Sequence, residues 1–440
     1  MMKKHTPYRL HSIGVIMAHF CLRTNQRITG AALAVLLGLP LSAGANTRIT
    51  FANYLPNDYI NKVIKDFEAA HPDIQVQSIK CGFADCHQKL TTALAVGQGA
   101  ADIFSVSTIK LGSFANSGGL NNLSAPPFSI DSQGWQFDPS MISLAKGNDG
   151  NIYGVPYDTG PVIMIYRNDM VQKAGVKIED ITKSWDSFIA FGEKLKKEQG
   201  AYLLPAATSL INPLVVGMNS EPGKPVYTKN GKPNLDSPQI KQLMTVIKTL
   251  YDKGLAASLD GSTNSQEYIK LYRQGKLFAD IDGPWDEGRI EQELDPDGAK
   301  AGLWRVTGVP GNIKVNAGGT TLVIPKQSKN AQAAWQFIQY FMQRDVVIDA
   351  AKTAGTLPAR LDVYNAPYFD TPSSILGGQH SMRYYASLVP DLKPVASSPE
   401  DNIANEILNE AAKKILVQHQ DIDSTLRDAN KLLERRMRAL

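Results

Sequence analysis

The chain has 440 residues, 43% hydrophobic and 20% charged. That composition excludes disordered and collagen-like classes and leaves room for two domains, each with its own core. Of 46 Lys and Arg against 42 Asp and Glu, five (Lys3, Lys4, Arg9, Arg23, Arg27) fall in residues 1–45, which hold no acid, so the rest stands at 41 − 42 = −1. A body without basic excess argues against nucleic acid as a partner.

Taken in chain order, the first feature is a leader. Gly30 to Leu41 is a twelve-residue apolar run preceded by Arg23 and Arg27, and Ala43-Gly44-Ala45 is a small-x-small cleavage pattern. This predicts a signal peptide over 1–45, a mature start at Asn46 and export to the periplasm. The run is shorter than the roughly 20 apolar residues of a bilayer span; a retained anchor helix is the alternative. The stretch before Arg23 is long for a signal, which leaves Met17 as an alternative start. Cys21 is not preceded by a lipobox-like run of small residues, so no lipid anchor is expected.

After the leader, short β-rich segments alternate with amphipathic helices, the pattern of an α/β architecture. Residues 48–54 alternate as a first strand. Residues 57–71 carry apolar side chains at 60, 63, 64 and 67, a helical spacing stopped by Pro72. Residues 74–79 read as a second strand, 86–96 as a second helix ending at Gly97-Gln98-Gly99, and 102–106 as a third strand. A β-α-β-α-β start suggests a doubly wound sheet, with ligands beyond the carboxyl ends of its strands. Further helices are predicted over 185–198 and 238–253, with Ser184 and Ser237 as N-caps, and over 330–343, 401–418 and 422–438, the last with a basic, solvated face.

Cys81 and Cys86, an even pair in an exported chain, read first as a disulfide. The CGFADC loop is short, so its entropic stabilisation falls at the low end of about 0–5 kcal/mol. Cys86-His87 also invites a metal or haem reading, but haem attachment needs two residues between the cysteines and structural zinc needs four ligands.

Other catalytic signatures are missing. His71, His87, His380 and His419 hold no metal-ligand spacing, and no HExxH, GxSxG or GxxxxGK[ST] occurs. Gly97-Gln98-Gly99 lacks the third glycine of a dinucleotide fingerprint, and no cofactor or metal is expected. Asp280, Asp282, Asp286 and Glu287 crowd around Trp285. They keep open an exported carbohydrate-active enzyme built on two carboxylates, while Pro284 and Trp285 break the order of a calcium loop.

Four segments carry a resemblance: ADIFSVSTIKLGSFANSGGLNNL at 101–123; GVPYDTGPVIMIYRNDMVQKAGV followed by SWDSFIAFGEKL within 151–195; YRQGKLFADIDGPW at 272–285; and GVPG, AGGTTLVIPKQSKNAQAAWQFIQYF and AGTLPAR within 308–360. In order and spacing they resemble the family 1 extracellular solute-binding proteins of ABC importers, the maltose-binding-protein group, over essentially all of 46–440. The resemblance implies a two-lobed, type II-like periplasmic-binding-protein fold with hinge crossings near 156–159, 304–310 and 345. Lobe one would be 46–158 plus 306–345 and lobe two 159–305 plus 346–440. It implies a non-catalytic monomer that closes on a sugar and delivers it to permease subunits of an ABC transporter. A binding lobe serving a membrane sensor is a further rival.

On that pattern the sugar needs flat apolar surfaces and fixed polar groups. Trp285, after Gly283-Pro284, stands at a family stacking position; the bland alternative is a core tryptophan. Asp158 and Tyr157 lie at the first crossing as ligand contacts or hinge caps. Tyr54, Ser107 and Thr108 end strands at the carboxyl edge, where turn formation is the alternative. Gly318, Gly319 and Thr320 allow close backbone approach, or simply make a hairpin bend. Arg360 either faces the cleft, favouring an anionic sugar, or closes an ion pair. Residues 206–219 are expected to add contacts. Trp185 and Trp335 are assigned to packing.

Overall fold

The computed structural model describes residues 46–219, 221–259, 266–316, 318–396 and 398–438. The signal peptide expected over 1–45, with Met17 and Cys21, falls outside the described residues. Among the described residues no helix is long and apolar enough to cross a membrane.

The first strands and helices form where the alternation and helical spacing place them. Strand β1 spans Thr47–Asn53, helix α1 Asn57–Ala70, strand β2 Ile74–Lys80, helix α2 Phe83–Val96 and strand β3 Ile103–Ser107. Helix α1 buries Tyr59, Ile60, Val63 and Phe67, one face of a 3.6-residue period. Helix α2 starts at Phe83, three residues before the expected 86, so it takes in most of the CGFADC loop.

The first sheet runs β2, β1, β3, Thr320–Val323, Val155–Pro156. Strand β1 is parallel to β2 and β3, and Thr320–Val323 is inserted antiparallel between β3 and Val155–Pro156. Phe51, Phe67, Phe337 and Phe341 form its core, with Phe51 and Phe337 centroids 5.7 Å apart.

A second sheet has Ala279–Asp282 and Trp304–Thr307 antiparallel on either side of Ile163–Arg167. Backbone N–H groups of Phe278 and Ala279 bond Tyr202 and Leu203 carbonyls (2.9 and 3.0 Å), which extends it to Leu204–Ala206 and its parallel partner Ala256–Ser258. Phe188, Phe191, Phe278 and Leu214 fill a second core. The helices Trp185–Gln199 and Pro238–Asp252 are capped as expected, Ser184 Oγ accepting the Ser187 N–H (3.1 Å) and Ser237 Oγ the Ile240 N–H (3.2 Å). Trp185 and Trp335 are both core residues, 8% and 4% exposed.

Two lobes therefore have separate sheets. Asp158–Thr159, within the first expected crossing, pairs with Leu357–Pro358. Trp304–Thr307 belongs to the second sheet and Thr320–Val323 to the first. Helix Arg344–Ala354 packs on α1, with Asp349 3.0 Å from Lys62. A helical pattern alone does not say which lobe the helix covers.

Candidate ligand site

The carboxyl ends of β1 and β3 meet the hinge at one place. Tyr54, one residue past β1, donates from Oη to Thr320 Oγ1 (3.3 Å). Burial, with Asp158 nearby, holds its phenol well above the usual range. Gly319 lies so close that a Cβ there would sit 2.3 Å from the Asp158 carbonyl oxygen, with φ at +157°. Only glycine allows this approach, and the approaching group is hinge backbone. Asp158 is buried, its Oδ1 accepting the Thr320 N–H, and burial raises its pKa to about 7.

Trp285 closes the row from the second lobe. Its ring edge fills the space of the absent side chains at Gly160 and Gly283, 2.4–2.6 Å from where their Cβ atoms would stand. Asp282, three residues before it, has its carboxyl pushed up by burial and by the charge of Asp280. The indole is half-buried, so a rigid apolar face remains at the hinge.

Three of the four acids around this tryptophan, Asp280, Asp286 and Glu287, have fixed donors. Arg289 bridges Asp280 (2.7 Å) and Asp286 (2.6 Å), and Tyr268 Oη adds a bond to Asp280 (2.9 Å). Glu287 accepts from Ser381 Oγ (3.1 Å) and Tyr385 Oη (2.9 Å). An acid–base pair facing a glycosidic bond needs carboxyls directed at substrate; these are directed into the protein.

Several expected site residues are engaged elsewhere. Tyr157 is 1% exposed, stacked 6.2 Å from Tyr59 and edge-on to Phe341 at 5.2 Å. It serves the first core, because alternation along an extended hinge turns it opposite to Asp158. Thr108 is fully buried, its Oγ1 bonded to the Gly319 carbonyl (3.0 Å) and Thr321 Oγ1 (2.6 Å). Ser107 donates its backbone N–H to His87 Nε2 (2.9 Å). Arg360 is buried, its guanidinium forked on Asp362 and donating to the Met342 carbonyl. The ion-pair alternative for Arg360 is what the structure contains, so this guanidinium does not favour an anionic sugar. In residues 206–219, Ile211, Leu214 and Val215 pack the second core, while Asn212 lines a narrow gap between the lobes with Lys110 and Asn402.

Sequence reading missed a polar hinge cluster. Asp138 accepts from Thr159 Oγ1 (2.6 Å), and Asn316 Nδ2 donates to Ser140 Oγ (2.7 Å) and Thr159 Oγ1 (2.9 Å). Asp138-Pro139 is legible as a helix cap, but Asn316, which completes the cluster, stands 178 positions further along the chain (316 − 138). Phe83 was also missed; its ring lies 5.2 Å from Tyr54 and is 49% exposed. The arrangement offers aromatic faces beside fixed hydroxyls, amides and a hinge, suited to holding a hydroxylated ring without reacting with it.

Comparison with known proteins agrees with this geometry. The family model described as bacterial extracellular solute-binding protein matches residues 62–373. The arabinooligosaccharide-binding protein of Bacillus subtilis is 26% identical over 304 residues, 67% of this chain and 69% of the relative. The lactose-binding protein of Rhizobium radiobacter is 25% identical over 335 residues, 74% and 75% respectively. In fold, the chain is similar to the ABC transporter associated binding protein from B. animalis subsp. lactis in complex with β-1,6-galactobiose. The TM-score is 0.75 at 22% identity, covering 88% of this chain and 96% of that one. The chain belongs to the bacterial extracellular solute-binding protein family.

Proposed function

We propose that this protein captures a sugar or short oligosaccharide between its lobes and delivers it to the permease of an ABC importer. The observation that carries the reading is the Trp285 indole, seated on Gly160 and Gly283 at the hinge. A sugar's C–H face fits such a surface, and closing the lobes on it links binding to hinge movement. Support for a carbohydrate comes from relatives named for arabinooligosaccharides and lactose and from a similar fold holding β-1,6-galactobiose. The protein acts without catalysis, as a monomer in the periplasm, after removal of residues 1–45. Lobe one comprises about 46–156 with 320–354, and lobe two 159–307 with 357–438.

Cys81 and Cys86, with Cα atoms 5.4 Å apart, fit a disulfide formed in that oxidising compartment. Support for a non-catalytic role comes from Asp280, Asp286 and Glu287, each held by buried donors.

Thermal unfolding of the mature chain with neutral, phosphorylated and acidic sugars tests the reading. A ligand at 100 times its Kd stabilises by about 2.7 kcal/mol, and Trp285→Ala should abolish the shift. A flat response across the panel, or release of shorter products during incubation, would overturn it.

A further inference from the structure

The lobes also meet away from the hinge strands, through two short helices of lobe one, Leu111–Asn116 and Pro139–Leu144. Pro139–Leu144 starts in the hinge cluster. Asp138 caps it by accepting the Ser140 N–H (2.8 Å), and Ser140 Oγ accepts from Asn316 Nδ2 (2.7 Å). Its far end reaches lobe two. Ser143 Oγ donates to the Val395 carbonyl (2.8 Å), and Leu144 is buried among second-core residues rather than those of its own lobe. Leu144 lines the narrow gap with Val216, Val226, Tyr227 and Val395. Val395 stands on a fixed segment, because the Gly223 N–H bonds the Pro394 carbonyl (2.9 Å) and the Ala396 N–H the Lys224 carbonyl (3.2 Å).

The second arm repeats the arrangement. Ile109, just before Leu111–Asn116, packs against the second core. Ser113 Oγ donates to the Lys110 carbonyl (3.0 Å) and accepts from Asn402 Nδ2 (2.5 Å) on the second-lobe helix Asp401–Val417. Burial lowers the Lys110 pKa, and the charge of Glu406 on that same helix raises it. All of these contacts run from protein to protein. Apolar burial and two neutral hydrogen bonds therefore favour contact between the lobes whatever lies in the cleft.

We infer that the two arms form a clasp that holds the lobes together before a ligand arrives, so that contact between the lobes is the resting state of the free protein. A ligand then selects a form that is already populated, and its apparent affinity escapes the reduction that a rare binding form imposes. Release for ligand entry falls at Ser143, Leu144 and Asn402. The other end of the strap stays tied to the hinge, where Asp138 accepts from Thr159 Oγ1 (2.6 Å). Because the clasp bonds protein to protein, its loss weakens every ligand by one common factor.

Solution X-ray scattering of the ligand-free mature chain tests the clasp without reference to any sugar. The wild type should scatter as lobes in contact. Leu144→Ala should open most molecules, and Asn402→Ala, which leaves the cores untouched, should open a smaller share and decides the matter if Leu144→Ala fails to fold. A wild type that scatters as separated lobes, or a profile unchanged in Asn402→Ala, overturns the clasp. Calorimetric titration with lactose and arabinooligosaccharides adds a readout that rests on the sugar-binding function proposed above. A variant closed in about one molecule in three should bind each sugar about threefold more weakly. A loss confined to one sugar makes Asn402 a ligand contact and overturns the clasp. Failure of the wild type to bind any saccharide overturns the proposed function alone, and the scattering still judges the clasp.

Discussion

The two aromatic faces of the crevice are held by opposite means. At the hinge, Trp285 sits beside a buried charge network of Asp280, Asp286 and Arg289. At the outer edge, Phe83 is held by a neutral imidazole and a cysteine pair. A buried ion network is rigid only while every charge is paired. A covalent bridge with an uncharged imidazole resists loss of one partner better, but it answers to redox state and acid. The hinge end should therefore fail to mutation, and the outer end to chemistry.

The largest effect should come from Arg289→Met. It leaves Asp280 and Asp286 buried without their cation and should cost about 3–5 kcal/mol in urea unfolding, with Trp285 fluorescence shifting toward that of a solvated indole. A loss within about 0.5 kcal/mol, the range of ordinary surface substitutions, would mean the network does not hold the hinge face. Reducing the cysteine pair, or Cys81→Ser with Cys86→Ser, should cost less, about 2 kcal/mol for so short a loop. It should raise amide exchange over residues 83–89 and leave 280–289 unchanged. Equal loosening at both ends would erase the contrast.

The two ends also respond to pH, with opposite signs. Burial lowers the His87 pKa from 6.5 to about 4. The fold favours neutral imidazole, so its stabilisation is full above pH 6.5 and fades as pH falls toward 4. Burial raises Asp158 from 3.8 to about 7. The fold favours the protonated acid, so that contribution is present below pH 3.8 and fades as pH rises toward 7. Acid should therefore loosen residues 83–89 first, seen by hydrogen exchange at pH 4.5 against 7. Asp158→Asn should raise the Tm relative to wild type at pH 8 and leave it unchanged at pH 3.5. The reverse order at either position would contradict the burial assigned to it.

Much of this was legible from local pattern. Strands β1 to β3, helix α1, the Ser184 and Ser237 caps and the core roles of Trp185 and Trp335 follow from alternation, helical period and cap chemistry, which act over a few residues. Trp285 was legible because Gly283-Pro284 sets a turn before it. Tyr157 and Thr108 turn away from the crevice for a common reason. Chain position put each at the hinge or carboxyl edge, but Phe341 and Gly319 decided where each side chain points; for Arg360 both readings were open, and Asp362 decided for the ion pair.

Phe83 shows the converse. Between two cysteines it reads as filler in a disulfide loop. Its exposure matters only because its own helix α2 brings His87 beside it, and β3 with the turn that follows brings Ser107 and Lys110. Short-range stereochemistry, carried in each segment, made the elements. The partners of each side chain, and so the site, came from packing elements that stand far apart in the chain.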